Sequence, residues 1–323
     1  MRFRIISLLC ALALSHLGLG QASADVVVVS EFFGGRIQAF DVNTKVETTL
    51  ATIAGNPGLS GLAYHQASNT LYASALNHGG IYRLNGQTGA VLGFHALGIG
   101  VAGIAVNASG NVYVTDFGST NVRIYDSTFS NVANPGLIVV PGANPTSGVG
   151  FLNNGHTLIA TAGGGVYRHD GTNVTLFANN PLASAQITTD ALNNTYIGHG
   201  LGFSNNAFRY DANGNLTGSI EITSDMVNST GLGEPGTSPS GLVFDPNGDL
   251  FIAVLGRTNP GHAGGERGGL FKFSADGTLL ETFAVGSSAY SSAAYIASVP
   301  EPSALAMVSL IGLVRLSLRR RSR

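Results

Sequence analysis

The stretch GIAVNASGNVYVTDFGSTNVRIYD (103–126) decides the fold. It opens on a short apolar run, turns through ASGN, resumes with VYVTD and, after FGST, continues with NVRIYD. Brief apolar runs bounded by Asn, Ser and Gly mark short strands joined by tight turns. The unit recurs as GLAYHQASNTLYAS from Gly61, GVGFLNNGHTLIAT from Gly148 and GLVFDPNGDLFIAV from Gly241. A degenerate copy, AQITTDALNNTYIG, starts at Ala185. A third strand follows in each unit: IYRLN (81–85), VRIYD (122–126), VYRHD (166–170), FRYDA (208–212) and LFKFS (270–274). A fourth appears as VTLFA (174–178) and LLETF (279–283), and the unit starts are spaced by 42, 45, 37 and 56 residues.

Four strands in about 40–50 residues is the period of a propeller blade. The chain ends complete the count. VVVVS (26–30), RIQAFD (36–41) and VETTLATI (46–53) supply second, third and fourth strands without a first, whereas SSAAYIAS (291–298) is a first strand alone. Pairing them gives an all-β, six-bladed β-propeller over residues 25–298, its last blade closed by strands from both ends. A two-domain sandwich or an open solenoid explains neither the strand missing at one end nor the extra one at the other. Closure also protects the sheet edges.

Composition agrees. Charged residues are 11% of the 323, Gly numbers 45 and Trp is absent, where a soluble domain averages about 25% charged. That mixture disfavours helical bundles and excludes a tryptophan-marked WD blade. Residues 25–299 hold nine basic against seventeen acidic side chains, a net charge of −8. So acidic a body lacks the clustered Lys and Arg that neutralise phosphates, and a nucleic-acid partner is not expected.

The basic residues lie instead at the ends. Arg2 and Arg4 precede an apolar run, Ile5 to Leu19, and Ala22-Ser23-Ala24 presents the small–x–small pattern cut by signal peptidase, so residues 1–24 are expected to be a signal peptide. The only cysteine, Cys10, falls within it, leaving a mature chain without thiol or disulfide. At the other end, Pro300-Glu301-Pro302 is followed by the apolar segment 304–318 and the basic cluster Arg319, Arg320, Arg321 and Arg323. A helix over 303–318 spans about 24 Å, slightly short of a bilayer core. Its basic end is expected to stay cytoplasmic, placing the body across the membrane.

Residues 299–323 resemble the PEP-CTERM sorting signal: a Pro-Glu-Pro motif, a short transmembrane helix and a basic end. The resemblance implies a Gram-negative bacterium and processing by an exosortase. Localisation would run from an inner-membrane-anchored precursor to the cell surface or an exopolysaccharide matrix. A plain C-terminal anchor is the alternative. The repeats resemble NHL repeats, clearly at 103–126 and 241–274 and weakly elsewhere, which bears on fold more than on activity.

In a propeller, loops joining second to third strands, and fourth strands to the next blade, crowd one face around the channel. Two are long: 223–240 and 255–268. They carry Asp225, Glu234, Arg257, His262, Glu266 and Arg267. Long loops on a rigid scaffold often bear function; a solvated Gly/Pro-rich flap, a binding lip and a catalytic lid all remain open. His78, His199 and His262 recur in second-to-third loops, and with Glu31 and Asp116 they suit a divalent metal at the channel mouth. Isolated polar loop histidines are the alternative. Six-bladed relatives of the gluconolactonase type hold a metal through carboxylate and Asn ligands, a motif that does not map residue by residue onto this chain. Asp245-Pro-Asn-Gly-Asp249 resembles half a calcium loop but lacks the closing glutamate, and a hairpin turn explains it equally.

No cofactor is expected beyond that possible metal, and no catalytic set is recognisable. The reading is an exported propeller that binds a surface protein or exopolysaccharide through its long-loop face. A metal-dependent hydrolase, lactonase or lyase on the same fold is the alternative.

Overall fold

Six four-stranded antiparallel sheets succeed one another round a ring. The computed structural model describes residues 25–132, 134–142, 144–180, 184–199, 204–223, 226–227, 238–256, 268–285 and 290–298. Contacts divide the chain into the unit Val26–Ile296, which is the ring, and a second unit formed by both ends. Blade 1 consists of β1 (Val26–Glu31), β2 (Arg36–Asp41) and β3 (Glu47–Thr52), completed by the last strand of the chain. Blade 2 holds β4 (Leu59–His65), β5 (Thr70–Ala75), β6 (Gly80–Asn85) and β7 (Val91–Ala96). Blade 3 holds β8 (Val101–Val106), β9 (Val112–Asp116), β10 (Asn121–Tyr125) and β11 (Gly136–Val139). Blade 4 holds β12 (Thr146–Phe151), β13 (Thr157–Thr161), β14 (Gly165–His169) and β15 (Val174–Asn179). Blade 5 holds β16 (Ser184–Thr189), β17 (Thr195–His199), β18 (Asn206–Tyr210) and β19 (Leu216–Glu221). Blade 6 holds β20 (Ser238–Phe244), β21 (Leu250–Leu255), β22 (Gly269–Phe273) and β23 (Leu279–Val285).

The closing strand β24 (Tyr290–Ile296) is the innermost of blade 1 and pairs antiparallel with β1 from Val26–Ile296 to Glu31–Tyr290. The expected junction of chain ends is thus present, and the first strand it needed begins at Tyr290. The expected C-terminal membrane helix lies outside the described residues. Among those described, no helix is long and apolar enough to cross a membrane.

Among the described residues the apolar interior is not one core but six. Each cluster of buried side chains lies between two neighbouring blades. Strand alternation produces this, since successive side chains face opposite sides of a sheet. Val27 and Val29 pack with Phe251 and Leu270 of blade 6, while Val28 between them packs with Leu59 and Leu62 of blade 2. A run such as VVVV is therefore buried on both faces. The outer strands face solvent and leave Val91, Leu137, Leu176, Leu216 and Leu280 exposed.

Near the axis every blade interface is also stitched by a side chain bonded to the neighbouring blade's backbone. Ser291 Oγ donates to Leu59 O, Ser60 Oγ is shared by the carbonyls of Val101 and Ala102, and Thr115 Oγ1 bonds Ser147 O at 3.2 Å. Thr189 Oγ1 donates to Phe151 O at 2.8 Å and Ser240 Oγ to Tyr290 O at 2.8 Å. Between blades 5 and 6 the stitch is Gln186, whose Oε1 accepts Leu242 N–H at 2.9 Å.

Candidate functional site

Antiparallel order places the first-to-second and third-to-fourth turns on one face and the remaining loops on the other. At the loop face, Glu31, Asp116 and His199 hold one register position: each pairs with the first residue of its inner strand. They stand in alternate blades, with Ala75, Thr161 and Leu255 at the same position in the others. All three are buried. Glu31 receives Arg36 Nε at 2.8 Å and Gln38 Nε2 at 3.4 Å, and this carboxylate raises the Arg36 pKa. Asp116 accepts Gly118 N–H at 3.0 Å and lies 3.6 Å from Arg123 Nη2. The His199 ring packs edge-on against Phe208 at 5.1 Å. His78 is half-buried; its Nε2 faces Gly55 O at 3.1 Å and its Nδ1 faces Tyr82 Oη at 2.9 Å. Because a carbonyl only accepts, the neutral ring carries its proton on Nε2 and Tyr82 donates to Nδ1.

These four side chains do not converge. Among the described residues no three of His, Cys, Asp or Glu group closely enough to hold a metal ion. His262, the remaining candidate ligand, lies outside the described residues, as do the binding-face candidates Asp225, Glu234, Arg257, Glu266 and Arg267. The sorting motif Pro300, Glu301 and Pro302 and the cluster Arg319, Arg320, Arg321 and Arg323 also lie outside them. The half calcium loop is a hairpin turn: Asp245 Oδ1 accepts the N–H groups of Asn247 and Asp249, each at 2.9 Å. Lys272 Nζ sits 3.1 Å from Asp245 and 2.8 Å from Asp249, so the protein supplies its own cation there.

The axis carries a feature the repeat reading misplaced. Thr189 pairs with Thr195 as Val106 pairs with Val112 and Phe151 with Thr157. Counting back from those pairs aligns Gln186, not Ala185, with Gly61, Gly103, Gly148 and Gly241, and with Ser292 of β24. The glycines are there because neighbouring blades approach closely: a Cβ on Gly148 would lie 1.8 Å from Ala185 O, and one on Gly241 would lie 2.6 Å from Ser292 C. The inner strands of blades 2 to 6 all shift register just before this position, and blade 5 departs from the pattern only in the residue it carries there. Gln186 then reaches past blade 6 to blade 1. Its Oε1 accepts Leu242 N–H at 2.9 Å, Ala293 N–H at 3.2 Å and Ser292 Oγ–H at 3.2 Å, and its Nε2 donates to Ala293 O at 3.0 Å. Ser292 Oγ in turn accepts Leu62 N–H of blade 2 at 2.9 Å.

On the turn side of this bridge lies a chamber of about 260 Å³, bounded by the ends of all six inner strands. Among the described residues, no Asp, Glu, Lys, Arg or His lines it. Tyr64 and Val106 also border an open groove of about 500 Å³ with His65, Gln66, Ala67, Asn107 and Ala108.

Six blades, closed in register by the two chain ends, decide the architecture. The fold is an NHL-like six-bladed β-propeller. No family model and no curated protein matches the chain. Solved structures do. A Bacteroides caccae protein of unknown function aligns with TM-score 0.62 and 13% identity, over 85% of this chain and 99% of that one. A chain of a nidogen–laminin complex aligns with TM-score 0.62 and 12% identity, over 85% and 100%. A catalytically inactive Staphylococcus aureus virginiamycin B lyase, solved with quinupristin, gives 0.50 and 14%, over 77% and 73%. At such identities the likeness concerns the fold, and function rests with the site.

Proposed function

We propose that the chain is an exported propeller, sorted by an exosortase to the cell surface or extracellular matrix, where it binds a protein or polysaccharide. The observation that carries the binding reading is the chamber with its adjoining groove: a preformed concavity on a rigid ring, its chamber walled, among the described residues, without a charged side chain. Such a lining holds a neutral ligand through hydrogen bonds and contact, and the titratable side chains among its described residues are two phenols, Tyr64 and Tyr295, the first with its pKa raised by burial. The ionisable groups at the loop face support the same reading, because Glu31, Asp116 and His78 are each engaged with neighbours of their own blade or of the loop entering it.

The test is a titration of the mature protein against exopolysaccharide and surface protein extracted from the producing cells, with elemental analysis of the same preparation. Saturable binding without stoichiometric metal is expected. Stoichiometric divalent metal that disappears with His262→Ala would instead favour the metal-dependent hydrolase, lactonase or lyase.

A further inference from the structure

We propose that Gln186 makes the propeller channel a blind pocket that receives the terminal unit of a neutral saccharide chain from the turn face, the adjoining groove taking the next unit. The inference rests on the polysaccharide-binding reading above and names the end of the molecule that does the binding. At the axis five blades carry Gly or Ser, and the fifth blade alone carries a side chain long enough to cross. Its amide joins blades 5, 6 and 1, and Ser292 continues the line to blade 2. The chamber begins at this bridge and is bounded from there to the turn face only; Gln186 is its inner end.

The chemistry of the pocket is set by its walls. An amide nitrogen has two N–H donors, and Nε2 of Gln186 spends one on Ala293 O. The second is left for a guest, alongside the hydroxyl of Thr188 and the channel-side backbone of the inner strands. The N–H and hydroxyl donors match hydroxyl and carbonyl oxygens of a guest, the backbone carbonyls match its hydroxyls, and among the described residues no full charge lines the chamber to attract an ion. At about 260 Å³ the chamber falls below the roughly 300–1,000 Å³ of a drug-sized site. It is suited to one small unit, and the groove beginning at Tyr64 and Val106 allows a chain to continue outward. The groove contributes Gln66, Asn107 and His65, whose Nδ1 lies 2.8 Å from Ser68 Oγ.

Ligand-observed saturation-transfer NMR on the full mature protein tests this, with neutral monosaccharides and neutral linear tetrasaccharides as probes. At least one tetrasaccharide is expected to bind, with transfer strongest at a terminal residue. Val106→Trp, at the residue shared by chamber and groove, should weaken it about tenfold, a loss on the scale of one or two hydrogen bonds; because Val106 also packs against the cluster between blades 2 and 3, its unfolding midpoint is measured alongside and binding is compared well below it. Gln186→Gly, which restores the glycine of the other blades, should weaken it similarly. Should that variant unfold early, Val106→Trp still decides, since it touches none of the Gln186 bonds. Equal binding by wild type and Val106→Trp would overturn the proposal and leave the binding-module reading standing. A chamber that binds none of the probes, and so holds water only, would also overturn it. Loss of extracted polysaccharide and surface-protein binding together would instead sink the broader reading.

Discussion

Gly148 shows how tightly the ring is drawn at single positions. With a Cβ there placed 1.8 Å from a carbonyl oxygen of blade 5, no rotamer change relieves the clash, because both partners are backbone. Gly148→Ala is expected to cost about 1–3 kcal/mol, read as a lowered urea midpoint. Gly218→Ala is the control: its Cβ would meet nothing within 4 Å, and a change within about 0.5 kcal/mol is expected. A larger loss at Gly218 than at Gly148 would refute the close-approach account. Gln186 is the same position read differently. Its place in the motif was missed because the degenerate copy lacks the leading glycine that marks the others; the nine residues from Gln186 to Thr195 match those from Gly103 to Val112, so the turn spacing carried the position and the residue type masked it. The engagement of Glu31 with Arg36, five residues on, is likewise a contact across a loop and leaves no periodic trace.

Among the elements, the strands were legible because alternation and turn chemistry agree at almost every blade, and the orphan first strand was found by counting. The outer strand of blade 3, Gly136–Val139, lies far from the unit that defines its blade and is nearly all exposed, so neither spacing nor burial announced it. The turns are built alike. Asp170, Asp211 and Asp276 each accept hydrogen bonds from residues of their own turn, and those bonds lower all three pKa values. The leading donors are the Asn173 backbone for Asp170, the Asn215 side chain for Asp211 and the Ser274 hydroxyl for Asp276. A carboxylate with a depressed folded pKa contributes stability that is present above its unfolded value and lost as pH falls through the folded one. The urea midpoint is therefore expected to decline from pH 5 toward pH 3 and below, past the ordinary value of 3.8. Asp211→Asn should make that decline shallower; an identical acid slope in the variant would count against the turns as its source.

For the whole molecule, the charge balance separates body from ends: the acidic propeller lies between two basic segments that the proposed route would use as addresses. If an exosortase processes the tail, changing Pro300-Glu301-Pro302 to alanines should leave the full-length, membrane-bound form, visible as a larger band in the membrane fraction. Unchanged processing would remove the exosortase from the account. Closure also orders events in time. β1 reaches its inner partner only when Tyr290 has been made, 259 residues after Glu31. Until then an apolar strand waits with one edge bare, and the interfaces on both sides of blade 1 stay incomplete. The ring is thus a seal set by its last-made part, so any interruption of synthesis before that strand yields no smaller propeller, only an open arc with its most adhesive edge still exposed.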